Sequence, residues 1–302
     1  MRVLITGATG FIGRSLIPTL LKQPETDVIL LRLESESGRP FPSPLASLRS
    51  QFDVVYADLR HFGLTVRAIR QAEPDAVIHL AAAGATDPFL PVETALRHNV
   101  TGTINLLRAC FEKTSSTRQI VVARTPGELS AMNVYAASKA AAWNFCQMYG
   151  RTHNWPIHSA MIFQTYGPHQ PEHALIPLAV AAALAGQNFP LTSGTQQRDW
   201  IHVADVAAGL TAVIDAQLPP GTTVELGTGQ LTSVVDVVQQ IYALVNREGQ
   251  PQIGVLPDRP GEEAIQVADV VRTKALIGWE TAVSLPNGLA ALINASDEIA
   301  KS

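Results

Sequence analysis

The sequence predicts an α/β chain built on a parallel sheet with helices on both faces, and three observations carry that expectation. Short, near-continuous apolar runs alternate with helical patterns through the first half of the chain. The first run, residues 3–6, leads straight into Gly7-Ala8-Thr9-Gly10-Phe11-Ile12-Gly13 and a helix, and the regular alternation loosens after Gly167-Pro168. Strands that are apolar on both sides need cover on both sides, which intervening helices supply. The expected architecture is a doubly wound Rossmann fold with a parallel sheet plus a smaller α/β substrate-binding lobe.

Element by element, residues 28–31, 54–56, 76–80, 119–123 and 157–162 follow 3–6 as strands, and 13–22, 64–71, 91–111 and 134–152 as helices. After residue 167 come a loop containing Pro and His, a helix over 175–185, a short strand near 189–191 and a loop ending in Arg198-Asp199. Residues 224–226 return to the sheet, 234–245 form a helix, and the tail from 257 runs back to the substrate side. The division expected is a dinucleotide-binding domain over 1–166, to which 199–226 returns, and a substrate-binding lobe from 167–198 and 227–302. Residues 35–50, rich in Ser and Pro, read as the flexible segment. No internal repeat is present.

With 302 residues, 46% of them hydrophobic and 16% charged, the chain can bury a large core. A formal net charge of −4 with no long basic run argues against a nucleic-acid partner. Cys110 and Cys146 make no disulfide framework. The longest mostly apolar stretch, 174–185, is too short to span a bilayer. The first strand opens at residue 2 without a charged-then-apolar leader, so the expectation is a cytoplasmic enzyme with no membrane partner.

The strand–glycine–helix unit at residues 3–13 carries the first chemistry. Gly7 permits a tight turn, Gly10 lets phosphates approach the backbone, and Gly13 lets the helix pack close to the strand. Backbone N–H groups at the helix start then face a pyrophosphate, which makes this a dinucleotide site. The second signal is Tyr135-Ala136-Ala137-Ser138-Lys139, where Tyr and Lys four apart at the start of a helix share one face about 5–6 Å apart. Such a pair suits acid–base work. The ammonium is expected to draw the phenol down toward the operating pH, and the lysine can also hold the nicotinamide ribose.

These motifs, with Asp58-Leu59, His79-Leu-Ala-Ala-Ala83, the Asn99 to Leu107 run, Tyr166-Gly-Pro168, the Arg198 to Ala207 run, Arg259-Pro-Gly-Glu-Glu263 and Leu276-Ile-Gly-Trp279, cover nearly the whole length. Together they resemble an extended short-chain dehydrogenase/reductase of the nucleotide-sugar epimerase/dehydratase family. The resemblance implies that Asp58 and Leu59 flank the adenine and that Ala81, Ala82 and Ala83 line the cofactor. It adds Thr9, Phe11, Ile12, Leu80 and Asn99 to the cofactor set. Tyr135 and Lys139 are implied as catalytic, and Arg198 and Arg259 as the grip on a substrate diphosphate. Two-fold pairing through the helices at 91–111 and 134–152 is how that family forms dimers; their apolar residues could equally face the sheet.

The chain also departs from the family pattern. Where relatives carry several Ser/Thr and a longer loop, strand five ends Val122-Ala123-Arg124-Thr125 and Tyr135 follows ten residues after Thr125. Thr125 is the candidate to hydrogen-bond the reacting oxygen, with Ser130 a poorer one. The Asp-Glu pair that sugar 4,6-dehydratases need is replaced by Pro126-Gly127, which argues against dehydration. Met161 and Gln164 replace the usual Arg and Asn, with Gln164 kept as a substrate contact.

Strand two ends in Arg32, which suits the 2′-phosphate of NADP, whereas Glu34 in the ribose role would suit NAD. His169 and His173 lack a matching ligand cluster, so no metal is expected, and Asp205 reads as the cap of the helix after it. The leading reading is NADPH-dependent reduction of a nucleotide-linked 4-keto (6-deoxy) sugar. A nucleotide-sugar 4-epimerase is the alternative, and a non-catalytic NADP-binding sensor is the alternative of another class.

Overall fold

The computed structural model describes residues 1–85, 87, 89–114, 116–258 and 263–301, the side chains of 299–301 excepted. Seven parallel strands form the main sheet: β1 (Arg2–Thr6), β2 (Asp27–Arg32), β3 (Phe52–Tyr56), β4 (Ala76–His79), β5 (Gln119–Arg124), β6 (Ile157–Ile162) and β10 (Thr223–Leu226). Their spatial order is β10-β6-β5-β4-β1-β2-β3. The order reverses between β1 and β4, so the crevice outside their carboxyl ends is the ligand position of an open α/β sheet.

Alternation along β1 divides the core. Val3 and Ile5 point to one face, with Leu16 and Ile17 of α1 (Phe11–Leu20) and Leu210 and Val213 of α7 (Val203–Asp215). Leu4 points to the other, with Ile69 of α2 (Phe62–Ala72), Leu106 of α4 (Gly102–Glu112) and Trp143 of α5 (Val134–His153). Side chains at i and i+2 share a face, which is why an uninterrupted apolar run is needed here. The helix expected over 91–111 is composite: α3 (Val92–Ala95), a π-helical turn at Leu96–Thr101, then α4.

A third apolar cluster holds the smaller lobe. It joins Ile176 and Val180 of α6 (Leu175–Leu184), Val237 and Ile241 of α8 (Val234–Val245), Leu289 of α10 (Leu285–Lys301) and Trp200 of β9 (Gln197–His202). β9 pairs with β7 (Gln164–Tyr166), β11 (Leu231–Ser233) and β13 (Ile265–Gln266) in a small sheet. Residues 199–202 therefore lie in the small sheet, and the return to the large one begins with α7, which packs on α1. β8 (Phe189–Pro190) pairs with β12 (Pro251–Gln252), and α9 (Val270–Ile277) precedes α10.

Two expectations are corrected. The Ser- and Pro-rich stretch at 35–50 is anchored: Leu45 is fully buried, and Phe41 packs edge-on to Phe52 at 5.3 Å between ring centres. Asp205 does not cap its own helix. His202 does, accepting from Ala204 N–H, while the Asp205 carboxylate accepts from Ala282 and Val283 N–H, both at 3.0 Å. Among the described residues no helix is long and apolar enough to cross a membrane.

Candidate active site

The glycine turn fits a dinucleotide for steric reasons. Gly7 has φ +70°, and a Cβ there would meet Ala81 N at 2.7 Å, so the end of β1 lies directly on the Leu80–Ala81 backbone. A Cβ on Gly13 would lie 2.4 Å from Ala8 O, so α1 is pressed onto its own turn. Gly10 is exposed, donates to Gly7 O at 3.0 Å and opens α1, whose first turn has neither a side-chain cap nor an acidic residue. Thr9, Phe11 and Ile12 complete the turn. Uncapped N–H groups at a bare helix start are what a pyrophosphate needs.

The floor beside this turn is held by buried hydrogen bonds. Thr103 donates to Asn99 O at 2.6 Å, so it must accept from His79 Nε2–H at 2.9 Å. His79 Nδ1 then accepts from Thr6 at 2.7 Å, and Thr6 Oγ1 accepts from Ala81 N–H at 3.1 Å. Full burial drives the His79 imidazole down to about 3, keeping it neutral in this chain of bonds. Asn99, on the π-helical turn, accepts from Ala83 N–H at 2.8 Å and donates to Ala83 O at 3.1 Å. It braces the Ala81–Ala83 floor.

Two expected cofactor side chains are engaged within the protein. Asp58 is gripped by Arg60, whose Nε lies 2.9 Å from both carboxylate oxygens, and that hydrogen bonding holds the carboxyl below its usual range. Arg32 ends β2 as expected, but its Nε meets Glu36 at 3.1 Å, Nη1 donates to Arg39 O at 3.3 Å, and the guanidinium stacks 4.3 Å over Phe41. Only 5% of its side chain is exposed, and Glu36 already neutralises it. Leu59 gives its carbonyl to Asn105 at 2.8 Å. Glu34 faces Arg67 at 3.8 Å.

Around the carboxyl end of β5 the chain forms a cavity of about 540 Å³ between the two lobes. Thr125, Tyr135, Gln164 and Arg198 all line it, so four expected site residues from distant parts of the sequence meet there. Ser130 is exposed and not among the lining residues. Thr125 caps a single 3₁₀ turn, Pro126–Leu129, and its Oγ accepts from Glu128 N–H; the cap uses the oxygen as acceptor and leaves the O–H to donate. Asn133 caps α5 by accepting from Ala136 N–H at 2.9 Å, which sets Tyr135 in the first turn and Lys139 one turn further on.

The electrostatics differ from the expectation at Tyr135. Burial pushes the phenol up to about 12 and the Glu128 carboxylate adds to it, so the phenol is held protonated. Lys139 is fully buried, and that burial lowers its ammonium, with Glu128 working in the opposite direction. Glu128 itself went unread in the sequence. Its side chain is 0% exposed, Oε1 accepts from Thr125 N–H at 3.0 Å, and Oε2 meets Arg124 Nε at 2.7 Å.

On the far wall Arg198 is buried and donates through Nη1 to Gln197 O at 2.9 Å and Glu263 O at 2.8 Å. Arg259, its expected partner, lies outside the described residues. The next residue after Arg198, Asp199, is a hub that motif spacing does not reveal: it accepts from Thr228 N–H and Oγ1 at 2.7 Å, Gly229 N–H at 2.9 Å and Ala268 N–H at 3.1 Å. Four donors on one fully buried carboxylate fix β9, and with it Arg198. The cavity roof is tied down by Gly254 N–H on Thr192 O at 3.0 Å and Leu256 N–H on Leu191 O at 2.9 Å.

The chain is similar to known proteins along nearly its whole length. A dTDP-glucose 4,6-dehydratase from Xanthomonas campestris pv. campestris (strain B100) is 29% identical, over 96% of this chain and 92% of the relative. A UDP-glucuronic acid 4-epimerase from Bacillus cereus, solved with UDP-glucuronic acid and NAD, superposes with a TM-score of 0.86 at 22% identity, covering 99% of this chain and 100% of that one. MoeE5, solved with UDP-glucuronic acid and NAD, superposes at 0.85 and 25% identity over 99% and 100% of the two chains. Residues 3–227 match the model of one family. The chain belongs to the NAD dependent epimerase/dehydratase family and is an enzyme.

Proposed function

We propose that this enzyme transfers hydride at C4 of a nucleotide-linked hexose, reducing a 4-keto (6-deoxy) sugar with a reduced nicotinamide cofactor and removing no water. The observation that carries the reading is the state of the two groups beside the cavity. Tyr135 lines it as a protonated phenol, the form that donates to a carbonyl. The Glu128 carboxylate, the nearest counterpart to a dehydratase acid–base group, is sealed against Arg124 and Thr125.

A bound nicotinamide supplies the hydride. Gly7 to Gly13 would hold the pyrophosphate and Lys139 the ribose. Thr125 donates its O–H to the C4 oxygen and orients the carbonyl, while Tyr135 gives that oxygen its proton. Arg198 stands on the side of the cavity that would take the diphosphate, with Arg259 proposed as its partner and Gln164 as a further substrate contact. NADP is the proposed cofactor on the strength of Arg32; because Glu36 competes for that guanidinium, the preference over NAD should be modest. The exposed Val92, Leu96 and Phe145 on α3, the π-helical turn and α5 support pairing of two copies.

A 4-epimerase would use the same Thr125, Tyr135 and Lys139, and the likeness of the fold to the Bacillus cereus UDP-glucuronic acid 4-epimerase keeps that reading beside the first. Incubation with a panel of nucleotide sugars separates the readings. A reductase consumes reduced cofactor mole for mole with a 4-keto sugar, whereas an epimerase converts a nucleotide hexose with no net cofactor change. Release of water, detected by mass spectrometry, would make the enzyme a dehydratase. A chain that binds NADP(H) and converts no sugar would be a sensor.

A further inference from the structure

We propose that Asn133 binds the sugar of the substrate: its side-chain oxygen caps α5, and its amide nitrogen donates into the cavity to a hexose hydroxyl beside C4. The inference rests on the reading that this cavity takes a nucleotide-linked sugar, and it adds a substrate contact that no motif names.

The connection that leads into Tyr135 is short and folded on itself. Met132 N–H donates to Gly127 O at 3.2 Å, Ala131 turns the chain through a left-handed conformation at φ +50°, and an extended Asn133 opens α5. Asn133 thereby lines the same cavity as Thr125 and Tyr135. Gly127, Met132 and Ala136 line it too, and a Cβ on Gly127 would lie 3.4 Å from Met132 Cε and 3.5 Å from Ala136 Cβ, so the three pack together as an apolar wall. The Asn133 amide is a polar group set beside that wall, two residues from the proton donor.

Capping alone does not call for an amide, since Ser and Asp serve as well as Asn at the start of a helix. The Asn133 side chain accepts from Ala136 N–H at 2.9 Å, and because that partner is a donor the oxygen must face it. The amide is planar, so the same bond fixes the direction of Nδ2. Among the described residues nothing accepts from this nitrogen, and the side chain is exposed. Two N–H donors are therefore held in place before a ligand arrives, which spares the cost of ordering them on binding. With the C4 oxygen taken by Thr125 and Tyr135, the neighbouring hexose hydroxyls are the acceptors that a nucleotide-linked sugar brings to them.

The test titrates dTDP-glucose and UDP-glucose, with dTDP and UDP beside them, into NADH-loaded wild type, Asn133→Ser and Asn133→Ala, and follows the urea unfolding of each. Asn133→Ser keeps a cap and ends short of where Nδ2 stood. It should unfold at the wild-type midpoint, yet bind the nucleotide sugar about three- to tenfold more weakly and the matching diphosphate unchanged. Asn133→Ala should lose the same sugar affinity and also unfold at a lower midpoint. Wild-type sugar affinity in Asn133→Ser, or an equal loss of affinity for the diphosphate, would overturn the proposal. If wild type binds neither nucleotide sugar, the nucleotide-sugar reading falls and takes the proposal with it. If the selective loss is seen while no 4-keto sugar is reduced, the C4 reading fails and the Asn133 contact stands.

Discussion

The Asn99 amide donates to the Ser138 hydroxyl at 2.8 Å, and Ser138 O–H in turn donates to the backbone carbonyl of Tyr135 at 2.7 Å. Through its other bonds Asn99 holds Ala83, so one buried side chain connects the cofactor floor to the helix that presents Tyr135 and Lys139. A π-helical turn makes this possible by rotating Asn99 inward from what would otherwise be a regular helix.

Replacing Asn99 by Leu keeps much of its volume and deletes all three hydrogen bonds, leaving partly buried backbone groups of Ala83 unpaired. Stability should fall by about 1–3 kcal/mol, measured by urea unfolding. NAD(H) affinity should fall with it, because the floor is no longer tied to α5. A variant as stable as wild type with unchanged cofactor affinity would mean that the brace is dispensable.

The sequence shows where a backbone must be bare and where side chains share a helical face, because both follow from local geometry. Gly7 and Gly13 are legible from the strand–turn–helix pattern alone, and so is Tyr135 with Lys139, since a four-residue helical spacing leaves them one arrangement. What stayed hidden depends on chain segments that meet only after folding. Arg32 looks like an open cation at a strand end until residues 35–50 fold back and place Glu36, Arg39 and Phe41 around it. Asp205 sits at a helix start but finds its donors at Ala282 and Val283. Glu128 had a legible signal, the Thr125-x-x-Glu128 capping pattern, and its meeting with Arg124 needed only the 3₁₀ turn.

Cofactor selectivity follows from the competition at Arg32. An unencumbered guanidinium on a 2′-phosphate contributes about 1.5–3 kcal/mol; with Glu36 in place the margin for NADP(H) over NAD(H) should be smaller. Glu36→Gln should raise NADP(H) affinity several-fold and leave NAD(H) affinity unchanged in parallel titrations. An unaltered ratio would show that Arg32 does not read the phosphate.

Acid sensitivity should report on His79. Its imidazole titrates at about 3 in the folded chain, below the ordinary 6.5, so between those values the unfolded state carries a proton the folded state lacks. Stability is then fully present above about pH 6.5 and is lost as pH falls toward 3, by about 1.4 kcal/mol per pH unit. His79→Gln should unfold with a flatter dependence on pH below about 6 than wild type. Equal slopes would place the burden on His158, which is also buried.

Hydride transfer at C4 with Tyr135 as proton donor is tested most directly by mixing the enzyme with a nucleotide-linked 4-keto-6-deoxyhexose and reduced cofactor, wild type against Tyr135→Phe, and following cofactor oxidation. Wild type should oxidise one cofactor per sugar reduced, faster at neutral pH than where the phenol ionises. The Phe variant, which keeps the ring and loses the proton, should bind cofactor normally and turn over about 10²–10⁴ more slowly. Wild-type turnover by Tyr135→Phe, or water loss in place of cofactor oxidation, would contradict the account.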